Sequence, residues 1–162
     1  MSNCLKTKLY IYIPTYNREL EVRSQIKALV QASSNIDKNE LVIHVNDNNS
    51  KYANESIKLL CQQNNIKFTK NPANIGGNAN ILLGFVQPID SDYLWILSDN
   101  DIINTSSLLQ LFEIIKKKPD LILASSITLR QQNITFDRES NILKLLNHRA
   151  GLISSTIYNL KS

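Results

Sequence analysis

The sequence is short of the residues that mark several classes of protein. It has two cysteines, Cys4 and Cys61, and their spacing fits neither a disulfide framework nor a set of metal ligands. Reduced thiols, as in a cytosol, are the simplest interpretation. No apolar run approaches the roughly 18 residues that cross a bilayer, and no signal-peptide core follows Met1. We therefore expect a cytoplasmic chain without a membrane span.

Charge of one sign is only mildly in excess. The net charge is +4 with 20% charged residues, which suits an anionic ligand, a nucleic acid or an acidic membrane without choosing among them. No nucleic-acid partner is expected, because basic and aromatic residues are not interleaved. The 43% of hydrophobic residues in 162 is enough to bury a core, so one globular domain is the default.

Apolar runs alternate with amphipathic segments from residue 9 to residue 127. Strands are predicted at 9–13, 41–45, 66–69, 93–97 and 121–127, and helices at 19–34, 52–63, 77–85 and 104–118. This alternation predicts an α/β fold, a mostly parallel sheet with helices on both faces. The pattern then weakens to a strand at 134–136, a short helix at 142–146, and a strand or helix at 152–158.

Polar residues gather where three of the predicted strands end. The first strand is followed by Pro14, Thr15, Tyr16, Asn17 and Arg18, the second by Asn46, Asp47 and Asn48, and the fourth by Ser98, Asp99, Asn100 and Asp101. Ligands of open parallel sheets bind beyond the carboxyl ends of the strands, where the strand order reverses. The three polar groups therefore predict a binding site at one edge of the sheet.

Asp99 and Asp101 are two carboxylates separated by one residue. Magnesium and manganese prefer oxygen ligands and often take one or two carboxylates together with substrate phosphates. The alternative is that both residues form a turn and cap the next helix. Their position after a buried strand, opposite Asp47, favours a metal site.

Four other positions leave two interpretations open. Asp47 can accept hydrogen bonds from a nucleobase or ribose, or close an Asx turn in the asparagine-rich loop. Tyr16 can stack on a base or cover the sheet edge, and Arg18 can meet a phosphate or stay solvated. Gly76-Gly77 can let backbone N–H groups approach an anion or form a turn that needs positive φ, and the turn is favoured.

The remaining singled-out residues are assigned structural roles. These are turns at Asn48, Asn49 and Ser50, a core position for Trp95, surface or satisfied core positions for His44 and His148, and interaction with a helix dipole for Lys116, Lys117 and Lys118.

Four segments, in this order, resemble those of glycosyltransferase family 2, which has the GT-A fold. They are IPTYNR at 13–18, VNDNNS at 45–50, NPANIGGNAN at 71–80 and YLWILSDND at 93–101. The ordered set spans about residues 9–127. The last segment, and residues 151–155, resemble the abequosyltransferase-like group of bacterial surface-polysaccharide transferases.

The resemblance implies a division of the chain and a role for each matching residue. Residues 1–127 are expected to form a nucleotide-sugar-binding subdomain, and 128–162 the incomplete start of an acceptor-side region, so that the GT-A fold stops after its nucleotide-binding half. Asp99 is expected to contact ribose or metal, and Asp101 the metal. The candidate donor-binding residues are Pro14, Thr15, Tyr16, Asn17, Arg18, Asp47, Asn74, Gly76, Gly77, Asn80, Ser98, Asp99 and Asn100.

The resemblance also implies an activity. A nucleotide-diphosphate sugar would donate to a glycan or lipid-linked acceptor with inversion, a carboxylate base would deprotonate the acceptor, and manganese or magnesium would neutralise the leaving diphosphate. The expected location is the cytoplasm at the inner face of the cell membrane. The protein is also expected to associate peripherally with the membrane and to form a homodimer.

The sequence departs from the family pattern at two points, and other functions stay open. The frequent double acid after the second strand is Asn46-Asp47 here. The base and acceptor-binding residues of the family lie in its second half, which is expected to begin around Ser162, so no residue is assigned as the catalytic base. One alternative is a non-catalytic nucleotide-binding module. Another is a phosphatase of the haloacid-dehalogenase type, whose Asp-X-Asp usually follows the first strand with Thr or Val where this chain has Ile103.

Overall fold

The computed structural model describes residues 7–51, 54–87, 90–101, 103–123 and 156–161. The strands are β1 (Leu9–Thr15), β2 (Leu41–Asp47), β3 (Lys67–Lys70), β4 (Tyr93–Ile96), β5 (Leu121–Leu123) and β6 (Thr156–Asn159). The helices are α1 (Glu19–Ala32), α2 (Asn54–Gln63), α3 (Gly77–Val86) and α4 (Thr105–Ile115). The elements predicted at 134–136 and 142–146, and residues 124–127 of the predicted fifth strand, lie outside the described residues.

The six strands form one sheet in the order β3-β2-β1-β4-β6-β5. β1 pairs in parallel with β2 and β4, and β2 pairs in parallel with β3. β6 runs antiparallel to both β4 and β5, so it lies between two strands that point the same way. The predicted α/β fold with a mostly parallel sheet is confirmed, and the segment left open as strand or helix contributes a strand at 156–159.

Helices cover both faces of the sheet, as predicted. The larger core joins Leu9, Ile11 and Ile13 of β1 to the apolar sides of α1, α2 and α4. On the other face, Tyr10 and Tyr12 pack with apolar residues of β4 and α3. Side chains of a strand alternate between faces, which is why β1 contributes to both cores. No helix of the described ranges is long and apolar enough to cross a bilayer.

Strand β1 continues through Pro14 to Thr15, although the first strand is predicted to end at residue 13 because Pro14 follows. The ladder between β1 and β4 stops at Tyr12 and Ile96, and Leu97 N–H then donates to Tyr12 O at 2.9 Å. Pro14 has the same orientation as Tyr12, so its missing N–H faces the side where β4 has already left the ladder. Proline is tolerated at such positions because no ladder hydrogen bond is lost.

Candidate functional site

The polar ends of β1, β2 and β4 lie side by side at one edge of the sheet. Thr15 and Asp47 are register partners at the ends of β1 and β2. Asn48 N–H donates to Thr15 O at 2.8 Å, which ties the two loops together. The chain turns to opposite sides of β1 to form β2 and β4, so the strand order reverses at the carboxyl end of β1. This is where open α/β sheets bind ligands.

Asp99 is held by two residues of the loop that follows β1. Thr15 Oγ1 donates to Asp99 Oδ2 at 2.9 Å, and Arg18 Nη1 donates to Asp99 Oδ1 at 3.3 Å. The residue Asp99 is only 6% exposed. Burial raises the pKa of Asp99, although the Thr15 hydrogen bond and the Arg18 charge act in the opposite direction. The structure thus joins three predicted site residues into one cluster.

Asp101 differs from Asp99 because it is exposed. The turn that carries it is closed by a hydrogen bond from Asp101 N–H to Ser98 O at 3.3 Å, and Ser98 Oγ donates to Asn100 Oδ1 at 2.5 Å. One carboxylate of the pair is therefore fixed inside the fold, and the other faces solvent.

Gln25 of α1 supports this turn, and sequence reasoning missed it. Its Nε2 donates to Ser98 O and, at 2.8 Å, to Asp101 O. Gln25 is fully buried, and its Oε1 has no hydrogen-bond partner among the described residues. A signal was present in the sequence: Gln25 is a polar residue within the apolar stripe formed by Val22, Ile26 and Leu29.

Asp47 is fully buried and accepts hydrogen bonds from Ser50. The Ser50 N–H lies 3.0 Å from Asp47 Oδ2, and the Ser50 hydroxyl donates to Asp47 Oδ1. Asn17 N–H in turn donates to Ser50 Oγ at 2.7 Å. This is the geometry of the turn interpretation, in which the carboxylate organises its own loop. A contact between Asp47 and a nucleotide stays a prediction.

The loop before α3 is built around Asn48. Asn48 Nδ2 donates to Asn74 Oδ1 at 2.8 Å and to Gly76 O at 3.3 Å, and Asn48 Oδ1 accepts from Ile75 N–H at 3.0 Å. Gly76 has φ +85°, which agrees with the turn favoured from the sequence. Gly77 begins α3, and Asn80 is buried on its inner side. Asn48, which the sequence assigned to a turn, links two loops.

Tyr16 and Arg18, for which the sequence left two interpretations open, both lie beside the site. Tyr16 is 37% exposed beside the site, which leaves both stacking on a base and covering the sheet edge open. Arg18 is not fully solvated, since it pairs with Asp99 and directly precedes α1, and its contact with a phosphate stays a prediction. Trp95 lies in the core, and His44 occupies a satisfied core position.

Within the ranges that the structure covers, no group of three or more His, Cys, Asp and Glu side chains is placed to hold a metal ion. Asp99 and Asp101 stay the predicted oxygen ligands, and both follow β4 at the site edge. A magnesium or manganese ion completes such a pair with substrate phosphates and water. The donor set therefore fits a cation that arrives together with a phosphorylated ligand.

The mixed sheet, the helices on both faces and the polar carboxyl edge at the reversal of strand order define a Rossmann-like α/β domain of the GT-A fold class. The chain belongs to glycosyl transferase family 2, whose family model matches residues 10–159. The predicted family and fold are thus confirmed. The abequosyltransferase-like group stays a prediction, and a search of curated proteins finds no match.

Solved structures similar to this chain include one protein from S. aureus and one from Pyrobaculum calidifontis. S. aureus TarS 1–349 aligns with a TM-score of 0.70 and 18% identity, over 94% of this chain and 47% of that one. The same protein in complex with UDP-GlcNAc aligns with a TM-score of 0.72 and 16% identity, over 94% and 45%. The mannosyltransferase PcManGT from Pyrobaculum calidifontis, in complex with GDP-Man and Mn²⁺, aligns with a TM-score of 0.61 and 12% identity, over 74% and 36%. These identities show a shared fold, and the chain spans about half the length of TarS 1–349.

Proposed function

We propose that this chain acts as a glycosyltransferase and binds its donor, a nucleotide-diphosphate sugar, at the carboxyl edge of its sheet. The observation that carries the proposal is the cluster of Thr15, Arg18 and Asp99, which lies where the carboxyl ends of β1 and β4 meet. It combines a carboxylate, a cation and a hydroxyl at the point where the strand order reverses. Structures with the same fold hold UDP-GlcNAc in TarS and GDP-Man in PcManGT.

Each candidate residue has a role in the proposal. Thr15, Tyr16 and Asp47 face the nucleotide, and the exposed ring of Tyr16 offers a surface for a base. Arg18 has a half-exposed side chain, so its guanidinium can turn from Asp99 to a phosphate. The other candidate donor-binding residues would line the donor pocket around Thr15, Tyr16, Arg18 and Asp47. They are Pro14, Asn17, Asn74, Gly76, Gly77, Asn80, Ser98 and Asn100.

The proposed cofactor of this protein is a manganese or magnesium ion. Asp101 is exposed and free of the Arg18 pairing that restrains Asp99, so Asp101 would hold the ion directly and Asp99 would contact the ion or the ribose. When bound, the ion supplies Lewis-acid stabilisation to the leaving diphosphate. Two carboxylates plus donor phosphates are a usual ligand set for either metal.

The resemblance extends the proposal to the second substrate. We infer inverting transfer to a glycan or lipid-linked acceptor, and a lipid-linked acceptor would bring the protein to the inner face of the cell membrane. Inversion needs a base that deprotonates the acceptor hydroxyl. None of the described residues is assigned to that step, so the transfer itself stays a proposal by resemblance to the family.

Calorimetry tests donor binding. We expect one of UDP, GDP, CDP and dTDP to bind in the presence of manganese or magnesium, and binding to weaken when a chelator removes the metal. Asp101→Asn should lower the affinity about tenfold or more, which corresponds to about 1.4 kcal/mol. Asp90→Asn is the matched control, because Asp90 is exposed and precedes β4 at the opposite end of the strand.

Two results would contradict the proposal. One is the absence of binding for the whole nucleotide panel with either metal, and the other is an Asp101→Asn variant that binds as the unaltered chain does. Binding without sugar release or transfer would instead support the alternative of a non-catalytic nucleotide-binding module. The phosphatase alternative is not favoured, because the Asp-X-Asp pair follows β4 rather than the first strand.

A further inference from the structure

A chain of hydrogen-bonded polar side chains crosses the inner side of the sheet beneath α3. It starts at Tyr10 on β1, passes through the fully buried His44 on β2 and Thr69 on β3, and reaches the loop before α3. Its later members are four asparagines at or near the site edge: Asn46, Asn48, Asn71 and Asn80. Most of these residues lie outside the candidate donor-binding set.

Backbone groups determine the orientation of the amides at the far end of this chain. Asn48 must present its oxygen to Ile75 N–H and its nitrogen to Gly76 O. Asn80 must present its nitrogen to Asn46 O, at 3.4 Å, which leaves its oxygen toward Asn71. Asn71 therefore directs its nitrogen to both Asn48 Oδ1 and Asn80 Oδ1, at 2.9 Å each.

The same reasoning carries back to the histidine. Asn46 Nδ2 donates to Asn71 Oδ1 and Asn80 Oδ1, so Asn46 Oδ1 is the acceptor for the Thr69 hydroxyl. A hydroxyl has one hydrogen, so Thr69 Oγ1 accepts from His44 Nε2 at 2.6 Å.

Nε2 of the His44 ring therefore carries a proton, and the ring is neutral because full burial disfavours a second proton on Nδ1. Its Nδ1 accepts from Tyr10 OH at 2.8 Å. Burial, with a smaller contribution from the Lys67 charge, lowers the pKa of His44 to about 4, which agrees with a neutral ring.

The side-chain bonds that lead from Tyr10 through His44, Thr69, Asn46, Asn71 and Asn48 to the turn at Asn74 and Gly76 thus all point the same way. Asn80 Nδ2 and the Ile75 N–H donate back, to Asn46 O and Asn48 Oδ1. Each side-chain amide hydrogen of Asn46, Asn48 and Asn71 has an acceptor. Reversing one member would place two acceptors or two donors face to face, and buried polar groups without partners are costly. A polar network of this kind specifies one arrangement when all its members are satisfied.

We propose that Tyr10, His44 and Thr69 are positioning residues, which hold the loop of Asn74 to Gly76 and the Asn80 side chain in the arrangement that the donor pocket needs. The proposal rests on the proposed donor site at this edge. A loop ordered before the ligand arrives loses less entropy on binding. The three residues lie behind that loop and act on it through the four asparagines.

Two backbone amides report on the network directly. The loop from Pro72 to Gly77 is exposed, yet Ile75 N–H donates to Asn48 Oδ1 at 3.0 Å and Gly76 N–H donates to Asn74 Oδ1 at 2.9 Å. Amides of an exposed loop exchange rapidly with solvent unless they are hydrogen-bonded. Hydrogen exchange at these two positions therefore measures whether the network holds the loop.

Thr69→Val removes the hydroxyl at almost constant volume, and Thr69→Ser keeps it. For Thr69→Val we expect a mixed His44 tautomer by nitrogen NMR of the ring, exchange at Ile75 and Gly76 about tenfold faster, and nucleoside diphosphate affinity about tenfold lower. In Thr69→Ser the tautomer, the exchange rates and the affinity should all be those of the unaltered chain. Exchange at Ile11 in the centre of β1 should not change in either variant, which separates a local effect from general loss of stability.

The proposal is overturned if Thr69→Val folds and leaves exchange at both loop amides unchanged, whatever happens to its melting temperature. If Thr69→Val does not fold, Tyr10→Phe replaces it: loss of the donor to His44 Nδ1 should shift the tautomer and speed the same two amides, and unchanged values overturn the proposal. If the unaltered chain binds no nucleotide, the proposed function fails, while the tautomer and exchange measurements still decide whether the network positions the loop.

Discussion

Gly84 lies where α3 crosses β1, and replacing it by alanine should destabilise the protein. A Cβ at this position would lie 2.8 Å from Cδ1 and 3.1 Å from Cγ of Tyr12. Tyr12 is fully buried and has little freedom to retreat. Its hydroxyl donates to Asn80 O at 3.0 Å, and its ring packs edge-on against His44 with centroids 5.2 Å apart.

Two opposing effects set the size of the change. Alanine is favoured over glycine in a helix interior by about 1 kcal/mol, and overpacking a core costs about 1–3 kcal/mol. Because the Tyr12 ring is held by both Asn80 and His44, we expect the upper part of that range. The net loss is then about 1–2 kcal/mol, or a fall in melting temperature of roughly 2–8 °C for a chain of this size.

Urea and thermal unfolding measure this loss, and Gly77→Ala is the control on the same helix. A Cβ at Gly77 meets no atom within 4 Å, so this variant should be at least as stable as the unaltered chain. A double-mutant cycle with Tyr12→Leu should show that the penalty of Gly84→Ala shrinks when the ring is absent. A Gly84→Ala variant as stable as the unaltered chain, or a penalty that persists without the ring, would refute the reasoning.

Two further predictions concern buried polar residues. Burial lowers the pKa of His44 from 6.5 to about 4, so the unfolded chain takes up a proton before the folded one does. Stability should therefore fall as the pH drops from about 6.5 to about 4, by at most about 3 kcal/mol; unfolding at several pH values should show this slope, and a slope unchanged in His44→Gln would contradict it. Gln25→Leu removes the donor to Ser98 O and Asp101 O together with an oxygen that has no partner among the described residues. Its stability should change little, while metal-dependent nucleotide affinity should fall about tenfold; calorimetry and unfolding on the same sample check this, and unchanged affinity would show that the turn does not need Gln25.

The family resemblance was carried by local segments, and the structure explains why these sufficed for the fold. The segments at 13–18, 45–50 and 93–101 each join the end of a buried strand to a polar loop, and the strands occur where the apolar runs predict them. A buried parallel strand is a continuous apolar run, so its presence is visible without knowledge of its neighbours.

β6 shows where local pattern stops being informative. A short apolar run does not distinguish a strand from a buried helix segment, so residues 152–158 left both open. Pairing with β4 and β5 makes Thr156–Asn159 a strand. Within this strand, Tyr158 is the register partner of both Leu94 and Leu121, and both are far from Tyr158 in the sequence. Nothing in the segment itself indicates that it enters the sheet antiparallel, between two strands that precede it.

Most contacts of the candidate site are long-range. Thr15 and Asp99 are 84 residues apart, and Asn46 and Asn80 are 34 residues apart. From the sequence, asparagines in a loop indicate turns, because bonds to the neighbouring backbone are their commonest local role. The network that joins four of them depends on β1, β2 and β3 being adjacent and in register.

The sequence by itself determined the order of strands and helices from β1 to β5, the membership of a family and the polar groups at three strand ends. Those properties follow from the periodicity of apolar residues and from short motifs, which neighbouring residues encode. Only the tertiary structure decided that Asp99 is buried against Thr15 and Arg18 while Asp101 is exposed, that Gln25 supports their turn, and that His44 connects to the loop of Asn74. Strand order and register decide these contacts, and no single segment of the chain contains either.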